Sequence, residues 1–235
     1  MKKLILFVTL VFTMFYLSSC GDSLPIEEDL SNKNYELLNQ DSVEVTFPDV
    51  VSGKIAIVGY VFTNCPDICP LTTNNMRIIQ EKVKEEGIED VEFVTVSFDP
   101  EYDTPSVLKE YAEIRKLDTS NWTFLTGEKS ETDRLIRDVG VVAVPSDSTE
   151  MEDGEMMYFY IHTDRIAIVD QEGRVRKNYL GSTNHLNLKC ENCGEWIDQN
   201  VMINQDFVNC PNCNHRNEFE SQLAQIIADI KTLAN

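Results

Sequence analysis

Seven cysteines are the residues best able to do chemistry in this 235-residue chain, and their spacing divides them into three sets. Cys65 and Cys69 are four positions apart, so both sulfurs share one face if the turn between them is helical. Cys20 stands alone near the N-terminus. The remaining four form two Cys-x-x-Cys pairs: Cys190 and Cys193, Cys210 and Cys213. Any site that uses imidazole must draw on three histidines: His162, His185 and His215.

The Cys65–Cys69 loop suits both metal binding and thiol–disulfide exchange. It follows an apolar run at 55–62, typical of a strand buried on both faces, and precedes a helical pattern at 71–86. A helix N-terminus favours thiolate over thiol. Thiolates bind Cu(I), zinc or iron–sulfur clusters, whereas a redox pair more usually has the spacing Cys-x-x-Cys. The spacing slightly favours a metal. Copper would need a third ligand, for which His162, at a predicted strand end, is the candidate; a plain surface histidine is the alternative.

The cysteine quartet has the spacing of a zinc ribbon, with 16 residues between its two pairs. Four thiolates complete a tetrahedral coordination sphere, so the site is predicted to be structural. Iron, or two disulfides in an oxidising compartment, are the alternatives. His215 adjoins the second pair but is surplus to a complete set. A segment of about 29 residues builds little hydrophobic core, so stabilisation of its fold by a bound metal ion is physically reasonable.

The order of predicted elements that position these residues is β-α-β-α-β-α, then a hairpin at 165–180 and a last helix at 218–233. This order indicates an α/β, thioredoxin-like sandwich with a small zinc-ribbon-like insertion before the C-terminal helix. We expect the main domain at 35–187 and 217–235 and the insertion at 188–216. The acidic segment 146–154 is predicted to be a loop.

The N-terminus has the pattern of a targeting segment. Lys2 and Lys3 precede an apolar run at 4–17 that is too short for a stable membrane span. The sequence 17–21, Leu-Ser-Ser-Cys-Gly, resembles the lipobox of bacterial lipoproteins. It predicts a signal peptide at 1–19, a lipidated Cys20, a tether at 20–34, and attachment to a membrane on the extracytoplasmic face of the bacterial cell envelope. An ordinary cleaved signal with an incidental cysteine is the alternative.

The formal charge of −20 argues against a nucleic-acid partner, because such a surface repels phosphates. The same charge is compatible with solubility alone, or with cations and basic protein patches as partners.

Four segments together resemble the Sco/SenC family of copper-binding proteins, which assemble the binuclear copper centre of cytochrome c oxidase. They are the Cys-Pro-x-x-Cys-Pro loop at 60–70, the Asp-Pro-x-x-Asp-Thr-Pro segment at 94–105, the strand at 122–127, and Tyr-Ile-His-Thr at 160–163 before the hairpin. The resemblance runs from about 35 to 179. The zinc-ribbon-like insertion is not part of it, and Ile161 stands where the family usually has an aspartate.

The resemblance implies that Cys65, Cys69 and His162 bind Cu(I) or Cu(II), and that the protein is a metallochaperone. The implied partner is the copper-centre subunit of cytochrome c oxidase or another copper or thiol protein. Asp67 and Asp99 are candidates to contact the ligands. Thioether ligands from the acidic loop are a weaker alternative: Met151, Met156 and Met157.

A thiol–disulfide oxidoreductase that reduces the oxidase cysteines is the competing function, and a peroxidase is a weaker third. Enzyme activity therefore stays open at this point. In the reductase reading, Cys65 or Cys69 would be the attacking thiolate, and His162 would tune its pKa.

Overall fold

The computed structural model describes residues 24–150 and 156–234. Fourteen strands lie within them: β1 Glu28–Asp29, β2 Tyr35–Asn39, β3 Glu44–Phe47, β4 Ile55–Val61, β5 Val91–Ser97, β6 Trp122–Thr126, β7 Ala143–Glu150, β8 Met156–His162, β9 Ile166–Val169, β10 Arg174–Tyr179, β11 Asn184–Lys189, β12 Trp196–Val201, β13 Phe207–Asn209 and β14 Arg216–Glu218. The same residues form four α-helices: α1 Ile68–Glu85, α2 Pro105–Ile114, α3 Lys129–Asp138 and α4 Gln222–Ala234.

An eight-stranded mixed sheet organises the main domain, in the order β1-β10-β9-β4-β5-β6-β2-β3. Strands β4, β5 and β6 are parallel to one another, and β4 is antiparallel to β9. All of β4 is buried, as its apolar run requires. Apolar residues of α1, α2 and α4 pack on one face of the sheet and those of α3 on the other. The predicted α/β sandwich is confirmed.

The helix that follows β4 positions the cysteine loop. It begins at Ile68, so Cys69 lies in its first turn. Its inward residues Met76, Ile79 and Val83 are buried, as the helical spacing predicts. The next helix, α2, has Thr104 as its N-cap and Pro105 at its first position, again as predicted.

The sheet starts earlier than the sequence indicates. Glu28 and Asp29, assigned above to the tether at 20–34, pair with β10 as an edge strand. Leu30 is buried in the core beside this strand, and that apolar contact explains why the segment is held on the sheet. The structure thus corrects the tether boundary. The predicted signal peptide and Cys20 lie outside the described residues.

A second correction concerns the predicted loop at 146–154. Strands β7 and β8 form a separate two-stranded hairpin, in which β7 runs as a paired strand to Glu150. Backbone pairing between strands overrides the loop-like composition of this acidic segment. Met151 lies outside the described residues. Within 24–150 and 156–234, none of the helices is long and apolar enough to cross a membrane.

The cysteine quartet lies in two small hairpins, β11–β12 and β13–β14. Paired backbone extends this unit to residues 184–218, somewhat beyond the predicted 188–216, because Asn184 pairs with Val201 and Phe207 with Glu218. We call residues 184–218 the ribbon. It has its own small apolar cluster.

Candidate metal centre

The structure brings Cys65, Cys69 and His162 together from three elements. Cys65 lies in the loop after β4, Cys69 in the first turn of α1, and His162 at the end of β8. Their two sulfurs and one ring nitrogen all lie within 4.8 Å of one another. The Cys69 Sγ to His162 Nε2 distance is 3.8 Å. Cys65 is 8% exposed and Cys69 is fully buried, so Cys65 is the more accessible of the two cysteines.

These distances fit a three-coordinate metal ion. With bonds of about 2.3 Å to sulfur and about 2.0 Å to nitrogen, trigonal geometry separates a sulfur from a nitrogen by roughly 3.7 Å. The observed 3.8 Å agrees with that value. Two thiolates and an imidazole are soft to intermediate donors, which favour copper or zinc over calcium or magnesium.

The tautomer of His162 is set by its backbone contact. Its Nδ1 lies 3.2 Å from the Thr163 carbonyl oxygen. Because a carbonyl can only accept a hydrogen bond, Nδ1 carries the hydrogen, and the neutral ring presents a lone pair on Nε2. The ring packs beside Phe98 at 4.9 Å and Phe62 at 6.1 Å between centroids, which fixes its plane. Nε2 is thereby directed at the sulfurs.

The two thiols share one proton unequally. A hydrogen bond from the Cys69 thiol lowers the pKa of Cys65 to about 4, against the effect of burial, and His162 and backbone N–H groups assist. The pKa of Cys69 is strongly raised, because its proton is held by Cys65 and because it is buried. Burial lowers the pKa of His162, but the hydrogen bonds to Cys65 and to the Thr163 carbonyl, together with the nearby negative charges, outweigh burial, and the pKa is raised. Near neutral pH the metal-free pair is therefore one thiolate and one thiol.

The two aspartates expected near the ligands have different positions. Asp67 is exposed and its side chain makes no capping hydrogen bond; its backbone N–H reaches the Cys65 sulfur. Asp99 is buried and accepts hydrogen bonds from the hydroxyls of Tyr158 and Tyr160. Asp99 therefore holds the strand that carries His162 without contacting the ligands through these bonds.

Sequence reasoning missed two buried or half-buried carboxylates. Asp103 is 0% exposed and accepts hydrogen bonds from Thr63, two residues before Cys65, and from Ser97. Burial raises its pKa to about 6, against these hydrogen bonds. The motif at 94–105 contains Asp103, so the sequence could have marked this residue as a candidate. Its contact with Thr63 could not be predicted from the sequence.

Asp164 is the second missed carboxylate. It accepts hydrogen bonds from Thr72 on α1 and from both the backbone N–H and the hydroxyl of Ser182. It thus links the strand end after His162 to the first turns of α1 and to Ser182, which lies two residues before the ribbon. No local signal marks this residue, because its partners are distant in sequence.

The centre opens to the surface through a cavity of about 420 Å³ lined by Cys65, Pro66, His162 and neighbouring residues of β8. Ile161, on its rim, is 67% exposed. The rim of the cavity therefore presents an apolar side chain next to His162.

The ribbon cysteines also come together: all four sulfurs lie within 4.8 Å of one another. The remaining two histidines join neither group. His185 lies on β11 facing Asp198, and His215 follows the second Cys-x-x-Cys pair.

Comparison with known proteins gives consistent matches. A family model described as SCO1/SenC matches residues 25–189. The SCO1 protein homolog of Bacillus subtilis is 33% identical over 188 residues, which cover 77% of this chain and 91% of that protein. The crystal structure of a SCO1/SenC family lipoprotein from Bacillus anthracis is 28% identical with a TM-score of 0.58, covering 86% of this chain and 94% of that one. The crystal structure of Arabidopsis thaliana ScoI with copper bound is 28% identical with a TM-score of 0.54, covering 63% and 85%.

The sheet, with a cysteine pair at the start of α1 and an imidazole facing it, defines a thioredoxin-like protein with a thiolate–imidazole centre. The matches agree with this class over most of the chain. The chain belongs to the SCO1/SenC family. The ribbon cysteines begin at Cys190, immediately after the matched residues end.

Proposed function

We propose that this protein binds copper through Cys65, Cys69 and His162 and delivers it to another protein. The observation that carries the proposal is the convergence of three soft ligands within 4.8 Å. Copper is present in a related structure at 28% identity. Two thiolates and one imidazole suit Cu(I) in three-coordination, and they also accept Cu(II).

The arrangement of the ligands favours transfer by ligand exchange. Cys65 is the more accessible of the two thiols and is ionised at neutral pH, whereas Cys69 is fully buried and His162 is half-buried. An incoming thiolate of the acceptor can approach through the cavity and share the ion before His162 and Cys65 release it. Copper then never enters bulk solvent.

The proposed acceptor is the copper-centre subunit of cytochrome c oxidase, which is the partner that the family resemblance implies. A binuclear copper site contains thiolates that can compete for the ion by the same exchange. A protein with a basic rim would also complement the net charge of this chain, which is −20.

A second function, reduction of the oxidase cysteines, is supported by the unequal thiols. The Cys65 thiolate would attack the substrate disulfide and form a mixed disulfide. Cys69 would then resolve it, leaving a Cys65–Cys69 disulfide and a reduced substrate. An external thiol reductant would be required to reset the pair.

Anaerobic titration with Cu(I) against a competing chelator tests the copper proposal. One equivalent should bind to the full chain, Cys65→Ser should abolish stoichiometric binding, and His162→Ala should weaken it. His185→Ala is the matched control, because it removes an exposed imidazole outside the centre. Parent-like affinity in His162→Ala would refute the three-ligand site. Catalytic disulfide reduction that copper inhibits would instead favour the reductase.

We further propose that Cys20 is lipidated and holds the protein at the extracytoplasmic face of a bacterial membrane. The lipobox-like sequence supports this, as does the description of the Bacillus anthracis relative as a lipoprotein. In cells, Cys20→Ala should move the protein from the membrane fraction to the soluble fraction. Unchanged membrane association of this variant would refute the anchor.

A further inference from the structure

The ribbon contains two turns of the same construction. In the first, the Cys190 N–H donates to the Glu195 carbonyl at 2.8 Å, and the Gly194 N–H donates to the Cys190 carbonyl at 2.9 Å. The same two bonds, each 2.8 Å long, recur in the second turn among Cys210, His215 and Asn214. Gly194 and Asn214 occupy equivalent positions with positive φ, 74° and 57°. Two matched turns that face each other present four sulfurs to a common centre.

The sulfur separations discriminate between a metal and disulfides. The Cys190 and Cys213 sulfurs are 3.7 Å apart, and those of Cys193 and Cys210 are 3.6 Å apart. A disulfide requires about 2.05 Å. Four sulfurs placed tetrahedrally at about 2.3 Å from a central ion are roughly 3.8 Å apart. The observed spacing matches the metal geometry.

Hydrogen bonds to the sulfurs also favour a metal site over disulfides. The Cys190 sulfur accepts from the backbone N–H groups of Asn192 and Cys193, and the Cys213 sulfur accepts from that of His215. Such bonds favour charged thiolate sulfurs and hold their orientation. They are the interactions that a metal-thiolate cluster needs from its surroundings.

The ribbon also needs stabilisation beyond that of its own small core. Its own buried apolar cluster consists of four aliphatic side chains and two of the cysteines: Leu186, Ile197, Val201, Val208, Cys190 and Cys210. A core of this size does not offset the conformational entropy of about 35 ordered residues. Metal binding supplies the missing folding free energy in small units of this kind.

We propose that Cys190, Cys193, Cys210 and Cys213 bind a structural Zn(II) ion. A closed set of four thiolates in tetrahedral arrangement suits zinc, whereas Cu(I) is satisfied by fewer thiolates. Zinc is redox-inert, so it protects these thiols from oxidation without itself changing state. This site uses none of the copper ligands and lies outside the residues that the family model matches.

The ion has a role beyond the ribbon itself, because the ribbon inserts a residue into the main core. Ile203, in the loop after β12, is 0% exposed and packs with the apolar residues of α1 and α4. Its carbonyl accepts a hydrogen bond from the Leu223 N–H at the start of α4, at 2.8 Å. Zinc thus stabilises the segment that seats the C-terminal helix on the sheet.

Metal analysis of the full chain carrying Cys65→Ser and Cys69→Ser tests the assignment without interference from copper. We expect about one zinc per chain, as a single four-thiolate site holds one ion. In the same background, Cys193→Ser should lose it, and His215→Ala should retain it as the matched control. Iron or copper in place of zinc, or two disulfides found by mass spectrometry, would overturn the proposal, as would zinc retained by Cys193→Ser. None of these outcomes bears on the copper centre, which the background lacks.

Limited proteolysis tests the structural role. In the same background, removal of zinc by a strong chelator should open cleavage sites within 184–218 and at α4, and zinc should restore protection. An unchanged cleavage pattern after verified zinc removal would refute the stapling role.

Discussion

Gly181→Ala tests the packing that joins the metal centre to the ribbon. A Cβ at this position would lie 2.4 Å from Asp164 Oδ1 and 2.8 Å from Thr72 Cγ2. An ordinary contact is about 3.4 Å, so the Asp164 carboxylate would have to retreat by about 1 Å. Its hydrogen bond from the Ser182 hydroxyl, now 2.6 Å, would then exceed the usual limit of about 3.0 Å.

The expected loss of stability follows from two contributions. Overpacking of this kind costs about 1–3 kcal/mol. A hydrogen bond to a charged group contributes about 1.5–3 kcal/mol. Movement of the Asp164 carboxylate relieves the overpacking but weakens the hydrogen bond, so the two losses do not add in full. We therefore expect a total loss of about 2–4 kcal/mol in the free energy of unfolding. For a domain of this size, that lowers the melting temperature by about 5–15 °C.

Urea denaturation of four proteins measures the effect and its origin: the parent, Gly181→Ala, Asp164→Ala and the double variant. Truncation of Asp164 removes the closest clash, so the double variant should lose less than the sum of the single losses by at least about 1 kcal/mol. Strict additivity, or a Gly181→Ala protein within about 0.5 kcal/mol of the parent, would refute this account.

Three further outcomes are expected. Copper binding should release at least one proton per ion near neutral pH, because the Cys69 thiol must ionise and the His162 imidazole, whose pKa is raised, must be neutral to bind. Affinity should therefore rise by at least about tenfold per pH unit. A pH-independent affinity in competition titrations would contradict this. Asp103 has a pKa of about 6 in the folded protein rather than 3.8, so the unfolded chain loses this proton first as pH rises. The free energy of unfolding should therefore fall by about 3 kcal/mol between pH 4 and pH 6. Urea unfolding of Asp103→Asn should lack this contribution to the pH dependence, and an unchanged pH dependence would contradict the assignment. Tyr158→Phe should lower the free energy of unfolding by about 1.5–3 kcal/mol in thermal denaturation, since the Tyr158 hydroxyl donates to the buried Asp99 carboxylate. Tyr160→Phe should lower it less, because the Tyr160 hydroxyl lies 3.3 Å from that carboxylate. The reverse order of the two variants would contradict the geometry.

Much of the fold could be predicted because its signals are local. The all-apolar run of β4, the helical spacing of Met76, Ile79 and Val83, and the cap formed by Thr104 and Pro105 each depend on neighbouring residues only. The convergence of the cysteine pair with His162 was predicted chiefly from the family motifs, because 93 residues separate Cys69 from the histidine.

The contacts that escaped prediction are those between distant polar residues. Asp164 bonds Ser182 and Thr72, and nothing near it in sequence distinguishes it from a surface aspartate. Similarly, Glu28 and Asp29 form a strand only because the edge of β10 is available to pair with them. Neither composition nor periodicity reports the presence of such a partner.

The contacts of Arg176 with the N-terminal segment limit how far the folded domain can lie from an anchor at Cys20. The buried guanidinium donates hydrogen bonds to the carbonyl oxygens of Leu24 and Pro25, which fixes the chain from that point on. If Cys20 carries lipid as proposed, only three residues lie between the anchor and Leu24, so the distance from Cys20 to Leu24 is at most about 14 Å. The copper carrier would then be confined to a thin layer above the bilayer, where it meets membrane-bound acceptors by lateral diffusion and cannot supply copper to distant soluble ones.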